Sequence, residues 1–131
     1  MKQSIPTNKN IIYFTLSLLL TFILLRTTLY FFPYLNFNLG PYNIHHLYSG
    51  AVLLIISVMM LLIGFQGTFI SCLAGASTAL IVDQLVFLIA TNGANITYLG
   101  PISLWGAVIS ILITLLTLGG FYFYEKSLSG R

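Results

Sequence analysis

The chain has 131 residues, 58% of them hydrophobic and only 5% charged, with a net charge of +3 and a mean hydropathy of +0.99. Soluble domains carry about a quarter charged residues, so a soluble globular fold is excluded and an integral membrane protein is indicated. The basic residues Lys2, Lys9, Arg26, Lys126 and Arg131 are too few and too scattered for nucleic-acid binding. Cys72 is the single cysteine, which excludes an intrachain disulfide and a thiolate metal cluster.

The length suits one domain, 1–131, with about four spans of about 20 residues each. Residues 1–10 are polar, and the first apolar run covers 11–32. Its length, its Arg26 and its lack of a small-residue cleavage site distinguish it from a cleaved signal peptide. A connector at 33–43 leads to a second span at 44–65, and Gln66 and Gly67 leave room only for a tight turn before the third span, 68–90. A polar loop over 91–100 precedes the fourth span, 101–124, and a short tail follows. The expected fold class is all-α: a polytopic four-transmembrane-helix bundle. Lysines and arginines flank the spans at both termini and are absent from the loops after spans one and three, which predicts cytoplasmic termini in a multi-pass protein of a cell membrane, of the bacterial inner-membrane kind. Tyr34, Tyr42, Tyr98 and Trp105 are then expected in the outer aromatic belt, and Tyr13, Tyr122 and Tyr124 in the inner one.

The third span carries Asp83, one of only two carboxylates. An aspartate in hydrocarbon costs about 2.5–3.5 kcal/mol even on permissive scales, so it is expected to face protein. Ser71, Gly75 and Ala79 share its face and are all small, the pattern of a close helix seam. Arg26 and Asp83 each lie about 15 residues into their spans from the cytoplasmic side, at a depth of about 22 Å. Equal depth and opposite sign predict a buried ion pair. Exchanging the two charges is then expected to restore a fold that either single reversal loses. The alternative is an Arg26 that snorkels to the outer headgroups.

Leu39-Gly40-Pro41 precedes a span containing Gly50-Ala51-Val52, and Leu99-Gly100-Pro101 precedes one containing Gly106-Ala107-Val108. These echoes raise the expectation of a duplicated helical hairpin, its halves related by an axis along the membrane normal.

His45 and His46 open the second span, with Asn43 as the expected N-cap. At 100° per residue, His46 shares a face with Gly50, Ser57 and Gly64, while His45 points away. Span four offers a similar stripe in Ser103, Gly106, Ser110 and Thr114. Converging on Asp83, these stripes predict a polar cavity in the outer half of the bilayer, with His46 at its mouth and Asp83, Gln84 and Arg26 deeper. His46 and Asp83 are the candidate catalytic residues, and His45, Arg26, Asn43 and Gln84 the candidate ligand-binding ones. Neither a metal nor a cofactor is expected.

The run Asn43-Ile44-His45-His46 with Gly50, followed by a small-residue helix bearing Asp83-Gln84, resembles a set of small uncharacterised bacterial integral membrane proteins with a His-x-His-His element and a later intramembrane Asp-Glu. The first histidine of that pattern is Asn43 here and the glutamate is Gln84. The resemblance implies a membrane bundle and no particular activity.

Three functional readings are open at this stage. The first is an accessory or lipid-binding membrane protein, in contact with membrane lipids and assembled as a homo-oligomer or within a larger membrane complex. The second is a membrane-embedded enzyme for acyl or phosphoryl transfer or hydrolysis on a lipid, with His46 as acid or base. The third is proton or metal-ion transport by an oligomer.

Overall fold

The computed structural model describes residues 8–33, 38–39, 42–43, 45–91 and 95–129. Expectations resting on Lys2, Tyr34, Gly40, Pro41, Ile44 and Arg131, and on the side chains of Tyr42 and Asn43, lie outside them.

The fold is an all-α bundle. Helix α1 spans Asn8–Phe31 and stops two residues before Pro33, whose ring disfavours a helical residue ahead of it. In the connector, Asn38 pairs with Asn43 and Leu39 with Tyr42 in a two-residue antiparallel ladder. Helix α2 is His46–Leu62, α3 is Thr68–Ala90, α4 is the single turn Asn95–Tyr98 and α5 is Pro101–Ser129. Proline opens α5 where its missing N–H costs nothing. That helix runs through Glu125 and Lys126 rather than ending at Tyr124, because charged residues past the apolar stretch do not interrupt it.

Three helices, α1, α3 and α5, are long and apolar enough to cross a membrane. Helix α2 is shorter than expected: its 17 residues reach about 26 Å, against about 30 Å of hydrocarbon. Its lower end is a Schellman cap. Phe65 N–H donates to Met60 O and Gly64 N–H to Leu61 O, with Gly64 at φ 91° in the left-handed region. Gly64 is therefore an exposed cap residue and not part of the buried face assigned to it above.

Helix α3 is the hub. α1, α2 and α5 each pack along it, and contacts among those three are sparse. A duplicated hairpin would make α1 pack on α2 as α3 packs on α5; instead both α1 and α2 pack on α3, so the packing does not repeat. Small residues set the approach. A Cβ on Gly75 would collide with the backbone carbonyl of Phe14, one on Gly50 would lie 2.8 Å from Leu80 Cβ, and one on Gly106 would strike Val86. Ser17 Oγ adds a hydrogen bond from α1 to Cys72 O of α3 at 2.7 Å. Below the level of Asp83, Leu18, Ala79 and Ile111 form one buried cluster, joined by Phe14, Phe22, Val82 and Leu115; a second cluster joins Leu29, Phe87 and Tyr98. The outward faces carry exposed Leu16, Leu20, Ile23, Val52, Ile55, Met59, Leu112 and Leu116, as lipid-facing helices do.

Because the Phe14 carbonyl is backbone and cannot rotate away, Gly75→Val is expected to lower stability by about 1–3 kcal/mol through overpacking. Gly119→Val, where nothing lies within 4 Å, is expected to leave the helical melting midpoint in lipid nanodiscs unchanged.

Candidate functional site

Three stripes converge at one level. On α1, Leu18, Phe22 and Arg26 follow at intervals of four; on α3, Ala79, Asp83 and Phe87 do the same; on α5, Ser103, Ala107 and Ile111. This spacing stacks side chains on one helix face. Apolar neighbours above and below thus bury whatever polar residue sits between them: Asp83 and Ser103 have no exposed surface and Arg26 has 9%.

The expected ion pair is present. Arg26 Nε donates to Asp83 Oδ1 at 2.6 Å. The guanidinium also donates from Nη1 to Tyr98 O at 2.9 Å, and from Nη2 to Ser103 O at 3.3 Å and Ser103 Oγ at 3.1 Å. Tyr98 OH donates to Asp83 Oδ2. The Tyr98 ring lies over the guanidinium, 4.3 Å from Cζ to the ring centre, with Phe22 at 5.7 Å, adding cation–π attraction at a desolvated site. Burial, together with the adjacent Asp83 carboxylate and its hydrogen bond, pushes the Tyr98 phenol well above its ordinary pKa, so the hydroxyl stays a donor. α1, α3, α4 and α5 are thereby tied at one point.

The role of Tyr98 in the clasp is not foreseen from the sequence. Its side chain is buried against the bundle, edge-on to Phe87 with ring centres 5.2 Å apart. The available signal was Leu99-Gly100-Pro101: a helix starting three residues after Tyr98 holds that tyrosine beside the first turn of α5. Ser103 was recognised only as one of a small-residue stripe.

The hydroxyls of the stripes bond locally. Ser57 Oγ donates to Leu53 O, Ser110 Oγ to Gly106 O and Thr114 Oγ1 to Ser110 O. These hydroxyls donate within their own helices, and the close approaches on the two stripes are at Gly50 and Gly106.

The N-cap of α2 is His45, not Asn43. Its backbone is extended (φ −65°, ψ 143°) and its side chain makes no capping hydrogen bond; Asn43 sits earlier, in the two-residue ladder. Since His45 is not helical, the 100° step does not apply between it and His46, and both rings face inward. His45 lies 6.4 Å from Phe87, and His46 is edge-on to Tyr98 at 6.0 Å. His46 Nε2 and Gln84 Oε1 are buried and have no hydrogen-bond partner. Each such atom costs about 1–3 kcal/mol unless something meets it.

Chemically, the centre is closed. Each Asp83 oxygen accepts a hydrogen bond within the bundle, Arg26 is held on three sides, and the pair is buried. Among the described residues no three His, Cys, Asp or Glu side chains come together as a metal site. No family model matches the chain, and no curated protein or solved structure matches it. Fold and site define a small helical membrane protein built around a buried ion-pair clasp.

Removing one partner of a buried pair strands the other, so Asp83→Ala or Arg26→Ala is expected to cost about 3–5 kcal/mol, read as loss of helicity in a denaturing-detergent titration. Contrary to the simple ion-pair expectation, the Arg26→Asp plus Asp83→Arg exchange is not expected to restore stability. A carboxylate at position 26 would face the carbonyls of Tyr98 and Ser103. Arg26→Met with Asp83→Leu, which leaves no charge behind, is expected to recover more of the loss than the exchange does in the same titration.

Tyr98→Phe keeps the ring and deletes one hydrogen bond to a charged acceptor. It is expected to cost about 1.5–3 kcal/mol, less than either charge deletion, with unchanged helical content below the transition by circular dichroism.

Proposed function

We propose that this chain is an accessory membrane protein: a small multi-pass bundle with both termini cytoplasmic that docks, through its lipid-facing helices, on a larger membrane complex. The observation that carries this reading is the burial of the clasp, whose charges are met by groups of the chain itself. Asp83 gives both oxygens to Arg26 and Tyr98, and the donors of Arg26 are met by Asp83, Tyr98 and Ser103. A general base must come within hydrogen-bond reach of its substrate, and Asp83, with no exposed surface and each oxygen already accepting a hydrogen bond, is shut away from one while the clasp is closed. The enzyme reading thus rests on His46, whose ring packs edge-on against Tyr98. The metal-transport reading lacks a ligand set among the described residues. A structural pair that fixes helix register is the role that buried charges of this kind serve best.

The test is native mass spectrometry of the tagged chain extracted in polymer-bounded discs from its own membrane. The expected spectrum shows a second polypeptide at fixed stoichiometry, in the original chain and in His46→Ala alike. Whole multiples of this chain alone, in both forms, would overturn the reading.

A further inference from the structure

One pair of groups plays no part in the clasp. Helix α2 runs antiparallel to α3, and Gly50 marks their contact: a Cβ there would lie 2.8 Å from Leu80 Cβ and 2.9 Å from Ser77 O. One turn back along α2 is His46, and one turn forward along α3 from Leu80 is Gln84. The antiparallel register sets these two at the same level of the same seam. The His46 ring is fixed there by its edge-on contact with Tyr98, and Gln84 is only 2% exposed. The two atoms buried without a partner, His46 Nε2 and Gln84 Oε1, belong to these two residues.

We infer that the seam between α2 and α3 above Gly50 is a binding site for a single hydroxyl group, with His46 and Gln84 as its polar walls. An amide oxygen only accepts, so the ligand must carry a proton to give. Carboxylates and phosphate diesters have none. A cation would be held among buried apolar side chains beside an Asp83 already neutralised by Arg26, with nothing to offset its desolvation. A hydroxyl satisfies both walls at once: it donates to Gln84 Oε1 and accepts from, or as water donates to, the imidazole nitrogen. A buried water and the free alcohol of a neutral lipid share this chemistry. The inference stands whether or not the chain docks on a larger complex.

The experiment compares the original chain, Gln84→Leu, His46→Phe and the double variant in phosphatidylcholine nanodiscs, with and without diacylglycerol as the hydroxyl-bearing probe. The readouts are the thermal midpoint and the diacylglycerol retained in native mass spectra. If the hydroxyl is a lipid alcohol, diacylglycerol raises the midpoint of the original chain, and either single variant weakens its retention about tenfold, as loss of one hydrogen bond requires. If it is water, diacylglycerol has no effect, both single variants lose stability, and the double variant is no worse than the poorer single one because one bridge is lost once. Additive effects without a diacylglycerol response, or a response that survives in both variants, overturn the site. His46→Gln separates bonding from packing, since its amide still offers a donor and an acceptor. It retains the coupling to position 84 if the site exists, and absence of coupling in that background also overturns it.

Discussion

The bundle depends on one electrostatic constraint: Arg26 and Asp83 must meet. Neither charge is tolerable alone in hydrocarbon, and together they are tolerable only if their remaining hydrogen-bonding capacity is met. The chain meets it with groups from two further elements, the Tyr98 hydroxyl and carbonyl and the Ser103 hydroxyl and carbonyl. A requirement of two residues thus fixes four segments. It also explains why Tyr98, at the end of the one-turn helix α4, is buried: without it, one carboxylate oxygen and one guanidinium nitrogen would lose their partners.

Helix α3 carries this role because its face toward α1 is small and its Asp83 meets groups from the elements around it. Gly75 lets the α1 backbone in, Ala79 fills the level below the pair, and Gly50 of α2 and Gly106 of α5 supply the gaps for Leu80 and Val86. Since α1, α2 and α5 each pack along α3, and α1 reaches α5 through the Arg26–Ser103 hydrogen bonds, their mutual placement is set by α3 and the clasp. The apolar surfaces left outward are matched to lipid or to other membrane helices, and the charged chemistry is turned inward and consumed.

Much of this was legible in the sequence. Two opposite charges at equal depth in otherwise apolar runs have one economical solution, and the structure adopts it. The small residues preceding Asp83 at intervals of four marked the seam. What was not legible depended on geometry that periodicity does not carry. His45 turns inward because it is an extended cap residue, and a helical wheel cannot represent that. Nor does periodicity show where a serine or threonine hydroxyl donates: on a helix it can bond the carbonyl four residues back, and Ser57, Ser110 and Thr114 do so. Tyr98 lay in a loop, where aromatic residues are read by default as interfacial. The ends of α2 are set by a Schellman cap and an extended histidine, features of the turns rather than of the apolar run.

Asp83 is the only aspartate in the chain and Arg26 one of two arginines, so the clasp can be observed without mutation. The decisive measurement is rotational-echo dephasing in bilayers between aspartate labelled with carbon-13 at Cγ and arginine labelled with nitrogen-15 at Nε. A closed clasp gives strong dephasing of the single carboxylate signal, at the separation of about 3–4 Å that a direct charge-assisted hydrogen bond imposes. An undephased carboxylate would mean that Asp83 and Arg26 are held apart, and that something other than this pair sets the register of the bundle.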